Sequence, residues 1–172
     1  FTPRRVHAEN QFNYAPIREI AFLFFGIFIT MLPAMNYLAH LGASGTAIPI
    51  RTPGQFYFAC GGLSSALDNA PTYLTFLKTE LASLDAPAGA TDRARVAMLL
   101  ADPAGNRILV AISMGAVLFG AATYIGNGPN FMVKSIAEHA GVPVPSFFGY
   151  VLKFTLPILL PILILVWWIF LR

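Results

Sequence analysis

The sequence predicts an all-α membrane protein, and three observations carry that expectation. The 172 residues are 56% hydrophobic and only 11% charged, whereas soluble domains carry about 25% charged residues. Three stretches, 20–39, 108–133 and 147–171, hold almost no charge at lengths that suit a bilayer, where about 20 residues of helix reach about 30 Å. A fourth, residues 55–81, is apolar but is broken in its middle by Asp68-Asn69-Ala70-Pro71.

In chain order, residues 1–19 form a polar lead with Arg4, Arg5 and Arg18. Residues 20–39 follow as a first span, with Pro33 expected to kink it. Leu41 to Pro53 is rich in Gly, Ser, Thr and Pro and reads as a loop. The broken segment 55–81 makes two half-helices of about 18 Å each, half a bilayer. A re-entrant hairpin with its tip near Asp68 fits those lengths, and so does one interrupted span. Residues 82–107 hold Asp85, Asp92, Arg93, Arg95, Asp102 and Arg107 and read as an extramembrane loop with a short helix over Asp92 to Leu100. Residues 108–139 form a discontinuous span, because Gly126-Asn127-Gly128-Pro129-Asn130 would unwind a helix. Residues 147–171 are the last span, closed by the interfacial pattern Trp167-Trp168 and Arg172.

Composition narrows the function classes. The net charge is +3, but the eleven Lys and Arg are scattered; a nucleic-acid surface needs them clustered beside accessible aromatics. The single cysteine, Cys60, excludes an intrachain disulfide and a Cys-based zinc site, and reads as a small buried hydrophobe. His7, His40 and His139 share no metal-ligand spacing. No nucleophile–His pair stands out either, so no enzyme and no cofactor are expected. The chain begins Phe-Thr-Pro and reads as a piece of something longer.

The chemistry gathers at the two breaks. Asp68 is the only residue charged at neutral pH between Arg51 and Lys78. A carboxylate at membrane depth costs about 3 kcal/mol on insertion scales and is rarely there for packing. Ser64, Ser65, Asp68, Asn69 and Thr72 offer carboxylate, amide and hydroxyl oxygens within nine residues, the donor set of a hard cation such as sodium. On a continuing helix Ser64, Ser65 and Asp68 would share a face. Pro71 cannot donate to the Leu67 carbonyl, which adds a free oxygen. The plainer role for Asp68 is a cap on the helix that starts beside Pro71. At the second break, Gly126 permits close backbone approach while Asn127 and Asn130 supply neutral amides. The helix beginning near Pro129 would aim free N–H groups at an anion; a plain Gly-Pro kink is the alternative. Lys134 and Glu138 are one helical turn apart and suit an ion pair. Two interrupted helices in one chain point to a transporter site.

Ser64-Ser65-Ala66-Leu67-Asp68-Asn69-Ala70-Pro71-Thr72 and Thr123 to Lys134, with Ile17 to Ile20, Gly26 to Met31 and Pro145 to Tyr150, resemble the C-terminal half of ion transporter superfamily proteins. The resemblance is to the group of sodium/proton antiporters and citrate-transporter-like permeases, and it covers nearly the whole chain. It implies two inverted repeats, each with a re-entrant hairpin and a discontinuous helix meeting at midplane, of which this chain supplies one. Ser64, Ser65, Asp68 and Asn69 would form the hairpin tip; Gly126, Asn127 and Asn130 would line the facing break. Related symporters carry a Ser-Asn-Thr triplet at such a tip, whereas here Asp68-Asn69 precedes Ala-Pro-Thr72.

That difference leans the expected function towards cation/proton exchange, with Asp68 alternately holding a proton and sodium. A sodium-coupled carrier of a small carboxylate or oxyanion is the alternative, and a non-transporting membrane subunit is a third. The expected partners are the lipid bilayer, an N-terminal half or partner chain, and a second copy of this chain. The expected location is the bacterial cytoplasmic membrane, crossed several times. Arg4, Arg5 and Arg18 favour a cytoplasmic N-terminus.

Overall fold

The computed structural model describes Val6, residues 14–43 and residues 50–172. Most of the polar lead, with Arg4, Arg5 and His7, and residues 44–49 of the expected loop before Pro53 lie outside the described residues. Among the described residues all regular structure is helical.

Helix α1 (Ala15–Ala43) starts inside the expected polar lead and runs on through Pro33. Its 29 residues reach about 44 Å. Helix α2 (Pro53–Ser64) opens on a capping box. Gln55 N–H donates to Thr52 Oγ1 at 3.2 Å, Thr52 N–H donates back to Gln55 Oε1 at 3.1 Å, and Pro53 fills the first turn, where its missing N–H costs nothing. Helix α3 (Asn69–Ser83) follows after a turn over 65–68. Pro71 stands in its first turn, where no intrahelical donor is needed.

The rings of Phe56 on α2 and Phe76 on α3 are 6.4 Å apart, edge to face. One continuous helix would separate those positions by about 30 Å, so the chain reverses at 65–68 and the two arms lie side by side.

Helix α4 (Asp92–Ala101) starts at Thr91, whose hydroxyl accepts Ala94 N–H. It is tied back to α3 by the Lys78–Asp92 ion pair and by Arg95 donating to Leu81 O at 2.8 Å. Helix α5 (Pro103–Leu118) begins within the expected loop, because Asp102 caps it through Gly105 N–H at 2.9 Å and Pro103 fills its first turn. A 3₁₀ turn (Phe119–Ala122) ends α5, and helix α6 (Gly128–His139) resumes after five non-helical residues. The break thus opens at Phe119, well before the expected Gly126. Helix α7 (Phe147–Phe170) is continuous, but its turns widen to π geometry over Val151–Leu159, with Leu160 N–H donating to Thr155 O. Pro157 lies inside that stretch; it has no N–H to give and its ring crowds the preceding turn, which a wider turn accommodates.

Hydrogen bonds set the helix directions. Cys60 Sγ–Ile112 O (3.4 Å) and Ser64 Oγ–Ala116 O (2.5 Å) advance together along α2 and α5, so these two are parallel. Tyr57 Oη donates to Leu163 O at 3.0 Å while Trp167, one turn further along α7, lies over Gly54, one turn earlier in α2, so α7 runs antiparallel to both. The core between them holds Phe56, Tyr57, Cys60, Ile112, Phe119 and Leu163. Trp168 is exposed, as an anchor would be, but Trp167 packs on Phe58 and over Gly54 and is a packing residue instead.

α2 and α5 approach closely because small residues face each other, the device that membrane helices use in place of a hydrophobic drive. A methyl on Gly115 would stand 2.6 Å from Tyr57 O and 3.3 Å from Gly61 N. Those are backbone atoms and cannot turn aside. Gly115→Ala is expected to destabilise the fold by about 1–3 kcal/mol, measured by thermal unfolding in detergent. Gly62→Ala is the control: it has nothing within 4 Å and sits in the last helical turn of α2, where alanine is the better helix former.

Among the described residues, two helices are long and apolar enough to cross a membrane, 103–122 and α7. Only 11% of the apolar window in α7 is buried within the protein, and its Leu152, Leu156, Ile158, Ile162, Leu165 and Ile169 are exposed, as lipid-facing side chains would be.

Candidate functional site: the junction of the two breaks

Parallel α2 and α5 bring their broken ends to the same level, so the hairpin tip meets the second break. Thr123 Oγ1 donates to Ser65 O across the junction. A methyl on Gly126 would stand 2.7 Å from Ser64 O and 3.0 Å from Ser65 O and Gly120 O. With its amide turned so that nitrogen donates, Asn69 lies 2.9 Å from Ala116 O, 3.0 Å from Ser64 Oγ and 3.1 Å from Gly126 O. Phe24 of α1 covers the outer side of Gly128.

Of the eight residues singled out from the sequence, most have committed side chains. Ser64 donates to Ala116 O and Ser65 turns back to Gly62 O at 2.7 Å. Buried Thr72 donates to Asp68 O at 3.0 Å, and Asn130 Nδ2 donates to Gly120 O at 3.2 Å. Asn69 is engaged as described, and Gly126 contributes only backbone. That leaves Asp68 and Asn127. Each stands in the N-cap position of its helix in an extended conformation, and neither side chain makes the capping bond. The helical face expected for Ser64, Ser65 and Asp68 is not formed, because α2 ends at Ser64 and the chain turns before Asp68.

The uncapped starts are local to the junction. Thr52, Thr91, Asp102 and Ser146 all cap their helices with a side-chain oxygen. At α3 and α6, by contrast, the N-cap side chains accept nothing. Pro71 and Pro129 have no N–H, and the Thr72 and Asn130 N–H groups bond to Asp68 O and Asn127 O, which leaves the N–H groups of Asn69, Ala70 and Gly128 as the unsatisfied donors that attract negative charge. Asp68 is half-buried, and among the described residues its carboxylate has no hydrogen-bond or ion-pair partner. The Leu67 carbonyl accepts no backbone hydrogen bond. The junction therefore combines free oxygens suited to a cation with free N–H groups suited to an anion.

Carbonyls freed on the other side of the break are not open. Asn130 holds Gly120 O, Tyr150 holds Ala121 O at 3.1 Å, and Thr155 holds Ala122 O at 2.6 Å. Lys134 pairs with Glu138 and lies 5.5 Å from the Tyr124 ring centre, so its charge is already answered.

Sequence reasoning passed over Thr123, Tyr150 and Thr155. Thr123 stood inside the quoted second tract, but its partner is 58 residues away and no local pattern signals it.

A family model described as "Putative citrate transport" matches residues 1–171. Neither the curated proteins nor the solved structures contain a match to this chain.

Proposed function

From the premise that this chain belongs to the family described as "Putative citrate transport", we propose that it is one half of a cation-coupled carrier of a small carboxylate, with its site at the junction of the two breaks. The chain is a citrate-transporter-like membrane transport protein; the coupling, the cargo site and the membrane depth of the hairpin tip are our reading. The single observation that carries it is the pairing of an uncommitted Asp68 carboxylate with two uncapped helix starts.

Coupling follows from electrostatics. A carboxylate cargo drawn to the N–H groups of α3 and α6 is repelled by Asp68. Two like charges about 5 Å apart at an effective dielectric of about 20 repel by about 3 kcal/mol. A cation on Asp68 and the Leu67 carbonyl removes that repulsion, so the cation binds first and the anion follows. On the same reading the protein lies in the bacterial cytoplasmic membrane as a multi-pass chain. Alternating access comes from movement of the hairpin-bearing bundle against a scaffold, supplied by an N-terminal half, a partner chain or a second copy.

The test is uptake of labelled citrate into vesicles. An inward sodium gradient should drive accumulation, and sodium should lower the half-saturating citrate concentration by about 100-fold, the equivalent of the repulsion removed. Citrate uptake indifferent to sodium would end the coupled reading.

Cation/proton exchange is the second reading, favoured by the Asp68 carboxylate having no partner among the described residues. Its sign is collapse of a preset proton gradient on adding sodium, with no carboxylate moving.

A further inference from the structure

Thr123 occupies an unusual position in the hydrogen-bond plan. Its hydroxyl donates to Ser65 O on the hairpin tip and accepts Ile125 N–H at 3.2 Å and Gly126 N–H at 3.0 Å on its own break. A hydroxyl has one proton and two lone pairs, and all three are in use. The same atom therefore shapes the second break and holds the tip against it. Its partner Ser65 opens the turn over 65–68 that ends at Asp68.

The other contacts across the junction do different work. Ser64 and Asn69 reach Ala116 O, and Asn69 also reaches Gly126 O of the second break at 3.1 Å; both anchor the helix ends on either side of the turn, not the turn itself. Gly126 makes room for the Ser64 and Ser65 carbonyls but pulls on neither. Thr123 alone among the described side chains grips the turn from the second break.

We infer that Thr123 is a positioning residue for the cation site: by holding Ser65 O it sets where the turn delivers the Asp68 carboxylate and Leu67 carbonyl relative to the start of α6. It touches no cargo itself. This rests on the reading of the tip as the cation site, and it adds the group that fixes the geometry of that site.

The experiment compares Thr123→Val, Thr123→Ser and wild type in the full carrier, in vesicles. Hydrogen exchange of the peptide over 64–69 reports the hold on the tip. The half-saturating sodium concentration for uptake reports the site. Valine keeps the shape and removes the hydroxyl; serine keeps the hydroxyl. Valine is expected to speed tip exchange and to raise the half-saturating sodium concentration about tenfold, with serine within about twofold of wild type on both. Tip exchange unchanged in the valine variant overturns the inference. So does faster exchange with an unchanged sodium requirement, which would leave Thr123 a fold-stabilising residue only. Should valine fail to fold, Thr123→Ala removes the same hydroxyl without adding bulk, and the same outcomes apply. A wild-type carrier indifferent to sodium overturns the coupled reading itself, and this inference with it, a result distinct from any change confined to the variants.

Discussion

Asp68→Asn is expected to abolish sodium-dependent transport, by a hundredfold or more, while leaving the fold unharmed. The substitution exchanges one oxygen for an NH₂ group at almost constant size. No hydrogen bond or ion pair within the described protein is lost, because the Asp68 side chain makes none. Its helix start is uncapped already, so no capping energy, ordinarily about 1 kcal/mol, disappears. On the proposed placement of the tip at membrane depth, a neutral amide recovers part of the about 3 kcal/mol that a carboxylate costs there on insertion scales, so the thermal unfolding temperature should hold or rise. A cation, by contrast, loses its only charged ligand. Uptake assays and thermal unfolding on the same preparation separate the two effects. Sodium-dependent transport at the wild-type level would remove Asp68 from the site, and a lowered unfolding temperature would assign it a structural role.

That contrast between a free side chain and a free backbone explains what could be read from the sequence. The break at Asp68 to Pro71 was legible because its cause is local: proline has no N–H, and an isolated acid in an apolar run stands out. The start of α5 was misplaced by five residues for an equally local reason, since the polar Asp102-Pro103 pair that looks like loop is a capping signal. The second break shows the limit. Gly126 to Asn130 announced an interruption, yet the helix ends at Leu118 and resumes at Gly128, so three of the expected breakers, Gly128, Pro129 and Asn130, lie in the first turn of α6.

The unwinding from Phe119 to Ala122 has no local cause. Phe119-Gly120-Ala121-Ala122 would continue a helix in isolation. What holds it open is the set of donors arriving from elsewhere: Asn130 on Gly120 O, Tyr150 on Ala121 O, Thr155 on Ala122 O. Buried carbonyls need partners, and here distant side chains supply them. Two of those donors sit on or beside the wide turns of α7, so the π geometry and the 3₁₀ turn are one tertiary arrangement. Sequence periodicity reads 119–122 and 151–159 as unmarked parts of two apolar spans. Thr123 escaped for the same reason: a threonine near a Gly-Asn-Gly tract has several local uses, and only the folded hairpin reveals its partner.

Gly126→Ala should eliminate transport under either reading of the cargo, through geometry instead of charge. The added methyl would meet Ser64 O at 2.7 Å and Ser65 O and Gly120 O at 3.0 Å. All three are backbone oxygens, so no rotamer change relieves the contact and the tip must move away from the break. Overpacking of this kind costs about 1–3 kcal/mol. Here it falls on the contacts that join the two breaks, Thr123 to Ser65 O and Asn69 to Gly126 O. The helices on either side keep their own hydrogen bonds, so the protein should still insert and fold, with fast exchange confined to 64–69 and 123–127. A displacement of about 1 Å at a site that must hold an ion among several oxygens is enough to lose two orders of magnitude. Gly126→Ala and Asp68→Asn thus predict the same loss of uptake with opposite exchange behaviour, the tip loosened in one and undisturbed in the other. Wild-type uptake by Gly126→Ala would mean that cargo passes elsewhere in the bundle, because no reading of the junction as the working site survives separating its two halves.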